Sequence, residues 1–510
     1  YFLGVKPVKP GYETFEIRPV MGDLTWMEGN VPTPAGNIEV YMDTKTIKVK
    51  APAGEGYLYF NANKPVVNRG QLEQLPDGSY RVKVKGDGQP VVVTFGGKRS
   101  DKPKDKVVNL YHQATTTPRL LYGVERLKTA LEQTGVTVHC QALKPSEAKI
   151  LARSGRNSLY VGQSGDPLLA TGLKRLGVKT PGSLSKEGFD LKANEGFYLL
   201  RGHDATGTLY ACLALADSLK ATGRLPVTLD VTDHPEMVLR GSCVGLQKPF
   251  YLPERTLYEY PYTQETFPWF YDKALWIKYL DMMVENRMNS LYLWNGHPFA
   301  SLVRLPDYPY ALEVSEADFA RNEELFSFLT AEADKRGVWV IQMFYNILLS
   351  KPFAEHHGLK TQDRSRPITP LIADYTRKSI SAFISKYPNV GLLVCLGEAM
   401  NTHEDDVEWF TKTILPGVRD GLDSLGIKEE VPIILRAHDT NCEMVMEAAL
   451  PLYKQLYTMN KYNGESLVTY EPGGPWGATH KALSQLGTTH IANVHILANL
   501  EPFRWTSPRS

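Results

Sequence analysis

Residues 375–398 read YTRKSISAFISKYPNVGLLVCLGE. Across 375–386 the apolar side chains Tyr375, Ile380, Phe383 and Ile384 recur at helical spacing, which predicts a helix with one buried face. Pro388 and Asn389 then supply a turn, and 391–396 is an apolar run of strand length. A strand apolar on both faces, next to an amphipathic helix, is the repeating unit of a parallel sheet covered by helices.

The same unit recurs on either side. Strand candidates lie at 238–244, 290–294, 338–343, 391–396, 432–436, 455–459 and 490–497. Between them fall helix candidates at 271–286, 317–335, 375–386, 407–422, 442–450 and 478–486. Such cyclic alternation predicts a (β/α)8 TIM barrel over 233–510. Seven strands are countable, so the barrel is expected to be truncated after strand 7, with the eighth supplied from beyond Ser510.

Upstream the pattern changes twice. Residues 1–97 hold short runs of period two broken by Gly, Pro and Asn, the signature of a β-sandwich. The polar stretch GGKRSDKPKDK ends at Lys106 and reads as a linker over 98–106. Residues 107–232 return to helices and strands, predicting a small α/β domain, with helices at 118–133 and 205–219. His203 and Asp204 precede the second helix and are read as a turn and cap, because Asp there accepts orphan backbone N–H bonds.

Composition narrows the partners. The 57 basic and 56 acidic residues leave a net charge of +1, so there is no footprint for nucleic acid or an anionic membrane. Aromatic residues make up 10% of the chain, with 27 Tyr and 8 Trp, rings that suit sugar faces as well as cores. Five scattered cysteines with no CxxC pair indicate neither a disulfide framework nor a zinc site. No apolar run is long enough to span a membrane. The start at Tyr1 rather than Met fits either a removed signal peptide or an excised piece, and the expected location is secreted or periplasmic.

In a β/α barrel the chemistry sits at the carboxy-terminal ends of the strands. Those ends carry Trp294 and His297 after strand two, Glu398 and Asn401 after strand four, and Arg436 and His438 after strand five. Strand six ends in Lys461, Asn463 and Glu465, and strand seven leads to Glu501 and Arg504. Glu398 stands out because it closes an apolar strand, where partial desolvation raises a carboxyl pKa and suits it to donate a proton to a leaving oxygen. Gly397 before it leaves room for close approach of a substrate or of neighbouring backbone. Hydrolysis of a glycosidic bond needs a second carboxylate, about 5 to 5.5 Å away if it is a nucleophile, and both Glu465 and Glu501 qualify by position. No histidine pair has helical metal-ligand spacing, and HEDD at 403–406 is not HExxH, so no metal or other cofactor is expected.

Several stretches carry resemblances. LGVKPVKPGYETFEIRPVMGDLTWMEGNVPTPAGNIEVYM (3–42) resembles the carboxy-terminal β-sandwich of family 78 α-L-rhamnosidases, which implies an accessory role for the sandwich over 1–97. EGFYLLRGHDATGTLYACLALADSL (195–219) resembles the α/β domain that precedes the barrel in family 20 hexosaminidases and family 67 α-glucuronidases. From residue 107 onward, through RMNSLYLWNGHPF (287–299), LVCLGEAMN (393–401), IILRAHDT (433–440), YTMNKYNGE (457–465) and VHILANLEPFRW (494–505), the chain resembles glycoside hydrolase family 138, α-galacturonidases acting on pectin.

That resemblance implies a retaining mechanism with Glu398 as acid/base and Glu465 as nucleophile, and leaves Glu501 as a substrate-binding residue or the alternative nucleophile. A galacturonide carries a carboxylate, which calls for Arg436, Lys461 or Arg504, since a guanidinium matches it best. Trp294, His297, His438, Asn401 and Asn463 are further substrate-binding candidates. The function expected is exo-acting release of α-linked galacturonic acid from rhamnogalacturonan-type pectic oligosaccharides. An α-glucuronidase or other exo-glycosidase on the same fold, and a non-catalytic carbohydrate-binding protein, are the alternatives.

Overall fold

The structure is a computed structural model that describes residues 3–22, 24–62, 64–95, 107–178, 182–246, 248, 260–345, 347–363, 365–397, 400–465 and 471–494. The chain divides into two compact units, Tyr1–His234 and Pro235–Ser510.

In the first unit, residues before Phe95 form two five-stranded sheets. One sheet supplies Phe15, Ile17, Leu58, Val82 and Val84 and the other Ile38, Val40, Ile47, Val49, Val91 and Val93 to a single buried core. The period-two runs at 38–41, 46–49, 57–60 and 80–84 fall within observed strands. Alternate residues of each therefore face that core. A six-stranded sheet follows, four strands parallel and two more added at one edge through antiparallel pairs, with helices Pro118–Gln133 and Ala205–Thr222 among its covering elements. Asp204 caps the second helix, accepting the Gly207 N–H at 2.8 Å and the Glu187 N–H at 2.9 Å. Burial acts to raise its pKa, but these backbone donors hold it below the ordinary Asp value.

The second unit is a parallel sheet of seven strands in sequential order: β1 (Gly241–Gly245), β2 (Ser290–Trp294), β3 (Trp339–Tyr345), β4 (Val390–Cys395), β5 (Ile433–Arg436), β6 (Leu456–Glu465) and β7 (His490–Asn493). Every neighbouring pair is parallel, so the sheet winds in one direction as a curled part-barrel. Alternation along the strands builds two cores. Leu291, Leu293, Val340, Phe344, Leu392, Val394, Ile433 and Leu435 pack outward with helix residues such as Trp276, Phe326, Phe383, Trp409 and Val445. Tyr292, Ile341, Met343, Leu393, Cys395, Ile434, Tyr457 and Met459 pack on the other face, inside the curl.

Three expectations shift, each for a local reason. The first barrel strand begins at Gly241 rather than 238, because the Asn289 side chain takes the place of a ladder there. Its amide donates to the Val238 carbonyl at 2.8 Å and accepts the Arg240 N–H at 2.8 Å. The single helix expected at 407–422 is instead His403–Trp409, a π-helical Phe410–Ile414, and Leu415–Ser424. Pro416 enters just after the π turn, and a residue without an N–H is a usual cause of such a break in the i to i−4 ladder. The sixth strand runs on to Glu465, well past the expected 459.

Candidate active site

The carboxy-terminal edge of the curled sheet is organised around Arg436. It continues the inward series from Ile434, and in the sheet it lies opposite Cys395 of β4 and Met459 of β6. The residue is only 5% exposed. Its Nη1 donates to the Cys395 Sγ at 3.8 Å, and its guanidinium carbon sits 4.8 Å from the centroid of the Trp294 ring. A guanidinium stacked on an indole keeps its charge while shedding water, which strengthens its pull on an anion.

Around it, Lys461 is half-buried on β6, in register with Asn493 of β7. Two residues on, Asn463 accepts the Gly473 N–H at 3.0 Å through Oδ1, fixing where the chain returns after β6. Glu465 is the last residue of β6. Its side chain lies outside the described residues, as do Glu398, Glu501 and Arg504.

The strand of Glu398 is described up to Gly397, and its exit is clamped. A Cβ on Gly397 would fall 1.9 Å from the Asp439 carbonyl oxygen and 2.6 Å from that of His438. The Gly397 N–H donates to Thr440 Oγ1 at 3.0 Å, and that hydroxyl donates to the His438 carbonyl at 3.1 Å. The room expected at Gly397 is therefore filled by backbone of the loop after β5, where Asp439 has a φ of 51°. His438 is half-buried, its Nε2 3.9 Å from an Asp439 carboxylate oxygen. Asn401 is exposed.

His297 is placed differently from the residues around Arg436. It is buried, and its Nε2 pairs with the Tyr375 hydroxyl at 3.1 Å, on the helix Pro370–Lys386. Burial pushes its pKa down to about 3, so the ring is neutral in ordinary buffers. Asn295 is wholly buried and spent on backbone, donating to the Leu246 and Tyr260 carbonyls at 3.1 and 3.0 Å.

Two features were not anticipated. Asp406, 2% exposed on the helix that follows the Glu398 loop, is pushed up to about 6 by burial, against the opposing pull of His403, whose Nδ1 is 3.8 Å away. Asp406 also acts on Cys442 at the start of the helix after β5, where burial first and this carboxylate second push the thiol up to about 12. A histidine relay ties β6 to β7. His480 Nε2 meets the Tyr462 carbonyl at 3.0 Å, His480 Nδ1 meets His490 Nε2 at 2.7 Å, and His490 Nδ1 meets Thr458 Oγ1 at 2.8 Å. In sequence Asp406 is one acid of an acidic run, the ordinary mark of a solvated face, and nothing there announced its burial.

The singly wound parallel sheet thus gathers an arginine, a lysine and an indole at its carboxy-terminal edge, the end at which β/α barrels place their sites. A solved structure described as a GH138 enzyme targeting pectin rhamnogalacturonan II is 58% identical, with a TM-score of 0.67, over 79% of this chain and 55% of that one. The chain resembles glycoside hydrolase family 138 across that span. It covers about half the length of that relative. Residues 4–54 match the bacterial α-L-rhamnosidase C-terminal domain. More distant structural likenesses include a mutant Streptomyces plicatus β-hexosaminidase with bound product (12% identity, TM-score 0.45, 76% of this chain and 70% of that one). Another is the Streptomyces coelicolor β-N-acetylhexosaminidase (12% identity, TM-score 0.43, the same shares). No curated protein matches the chain.

Proposed function

We propose that this chain carries the catalytic barrel of an exo-acting, retaining α-galacturonidase that releases galacturonic acid from rhamnogalacturonan-type pectin. The observation that carries this reading is Arg436, a buried guanidinium stacked on Trp294 at the mouth of the sheet. A guanidinium held there can match the carboxylate of a uronide, which a neutral sugar lacks. Kinship with an enzyme described as targeting pectin rhamnogalacturonan II supports the same substrate class. In this reading the seven strands belong to a (β/α)8 barrel, preceded by an α/β domain of the hexosaminidase type and an accessory sandwich, in a secreted or periplasmic protein.

Glu398 protonates the departing oxygen and Glu465 attacks the anomeric carbon, giving a glycosyl-enzyme that water, deprotonated by Glu398, resolves with retention. Lys461 and Arg504 assist Arg436 with the sugar acid, and Trp294, Asn463, His438 and Glu501 contact hydroxyls or a ring face. The test incubates the protein with rhamnogalacturonan II fragments and with matched aryl α-galacturonide and α-glucuronide, following the anomer of the first product by NMR. Galacturonic acid released first as the α-anomer is the expected result. Release of the β-anomer would overturn retention, preference for the glucuronide would favour the neighbouring activity, and binding without release would leave a lectin-like protein.

A further inference from the structure

Beyond the Arg436 site, the loop that leaves the carboxy-terminal end of β3 holds a second buried guanidinium. Arg366 is 8% exposed and sits just before the helix Pro370–Lys386. Its Nη2 donates to the Lys360 carbonyl. Its Nε and Nη1 are shut from solvent and have no hydrogen-bond partner among the described residues. Asp363, the nearest acid in sequence, acts on it through space but neither hydrogen-bonds nor ion-pairs with it among the described residues, and accepts the Ser365 N–H at 3.0 Å. A backbone carbonyl offers only a partial charge, so among the described residues Arg366 has no directly paired anion of the kind a buried guanidinium needs. Burial moves its pKa down from the ordinary arginine value, with Asp363 opposing, which is the mark of a cation held without adequate compensation.

The sequence around it is basic as well. Among the described residues of 351–366, Lys351, Lys360 and Arg366 are set against two acids, Glu355 and Asp363. The loop belongs to the same end of the sheet as Arg436, because both follow carboxy-terminal strand ends. We propose that Arg366 is the centre of a second carboxylate-recognising subsite, which takes a uronic acid residue of the oligosaccharide other than the one held at Arg436. This rests on the galacturonidase reading for the identity of the sugar, and on Arg366 alone for the anion. The exposed residues Ser365 and Pro367 flank the arginine, and binding displaces this turn so that the sugar carboxylate replaces the Lys360 carbonyl as acceptor.

The test titrates the full chain with thio-linked digalacturonate, which resists hydrolysis, and with its carboxyl-reduced digalactose counterpart, while acetate serves as the bare carboxylate. Wild type should prefer the diacid at least tenfold, and R366M should cut that preference fivefold or more. A preference within twofold of wild type in R366M overturns the proposal. Should R366M fail to melt cooperatively, R366K, which keeps the charge but loses the planar donors, is judged by the same ratio. Acetate that raises Tm as much as the diacid does would overturn the sugar part and leave a simple anion site. Hydrolysis of an aryl α-galacturonide, assayed in parallel, separates the two readings: an inactive wild type whose diacid preference depends on Arg366 refutes the reaction alone, and an active one whose preference ignores Arg366 refutes the subsite alone.

Discussion

Gly397 lies against the backbone of Asp439 so closely that a methyl group on its α-carbon would sit 1.9 Å from the Asp439 carbonyl oxygen. The contact joins the end of β4 to the loop after β5, and so positions the backbone that leads into Glu398. Neither carbonyl has a flexible side chain that could give way. Gly397→Ala is therefore expected to lower Tm and, on the acid/base role proposed for Glu398, to cut kcat more than it raises KM. Overpacking against backbone costs ~1 to 3 kcal/mol. Wild-type kcat in a variant with unchanged Tm would show that the clamp has no part in placing the carboxylate.

Arg436 gives the second expectation. Replacing it by Met removes the charge while keeping most of the stem that packs beside Trp294, so binding of an aryl α-galacturonide should weaken tenfold or more relative to the matching α-galactoside. The basis is a charge-assisted hydrogen bond worth ~1.5 to 3 kcal/mol. Inhibition constants for galacturonate and galactose on both proteins check it. Equal weakening of acid and neutral sugar would mean that Arg436 supports the mouth and reads no charge.

How far the sequence could be read differs between backbone and site. Strand β2 was legible to the residue, because an apolar run between turn signals has one reading. The helix after β4 was legible only as a helix, since its π turn depends on how Pro416 is accommodated in three dimensions. Arg436 was identifiable because it ends a buried strand. Arg366, in a polar loop, reads as solvated until burial is known. His297 was grouped with the other strand-end residues, yet three residues beyond the end of β2 it meets Tyr375 in the helix layer. Sequence position names the end of the sheet a residue belongs to, and rotamer and packing decide what it touches.

Asp406 predicts a stabilising substitution. Its folded pKa, about 6, lies above the ordinary Asp value of 3.8, because burial penalises the charged form. The contribution to stability is thus fully present below pH 3.8 and lost as pH rises through about 6. Asp406→Asn removes that loss. At pH 7.5 the variant should be more stable by ~1 to 3 kcal/mol, the scale of a one- to two-unit shift, and the gain should vanish near pH 3.5. Denaturant unfolding at the two pH values checks this, and a variant less stable than wild type at pH 7.5 would mean that the carboxylate is needed as an ion.

His297 has the opposite sign. Its folded pKa, about 3, lies below the ordinary His value of 6.5, for the single reason that burial against Phe299 and Tyr375 disfavours the cation. The unfolded chain takes up a proton below pH 6.5 that the folded chain refuses, so the stability from this residue is complete above 6.5 and is lost as pH falls toward 3. At pH 5 the loss is ~2 kcal/mol, from the gap of about one and a half units between 6.5 and the solution pH. His490, pushed down to about 4 by burial and by His480, adds a loss of the same sign over an overlapping window. Replacing His297 by Gln keeps a polar group toward the Tyr375 hydroxyl but removes the titration. The variant should start less stable than wild type at pH 7.5, because the amide packs worse than the ring, and should lose less on acidification. The quantity to measure is the drop in Tm between pH 7.5 and 5. A drop in His297→Gln equal to that of wild type would show that His297 does not govern the acid limb, and a further loss of the drop in His297→Gln/His490→Gln would assign the remainder to the relay between β6 and β7.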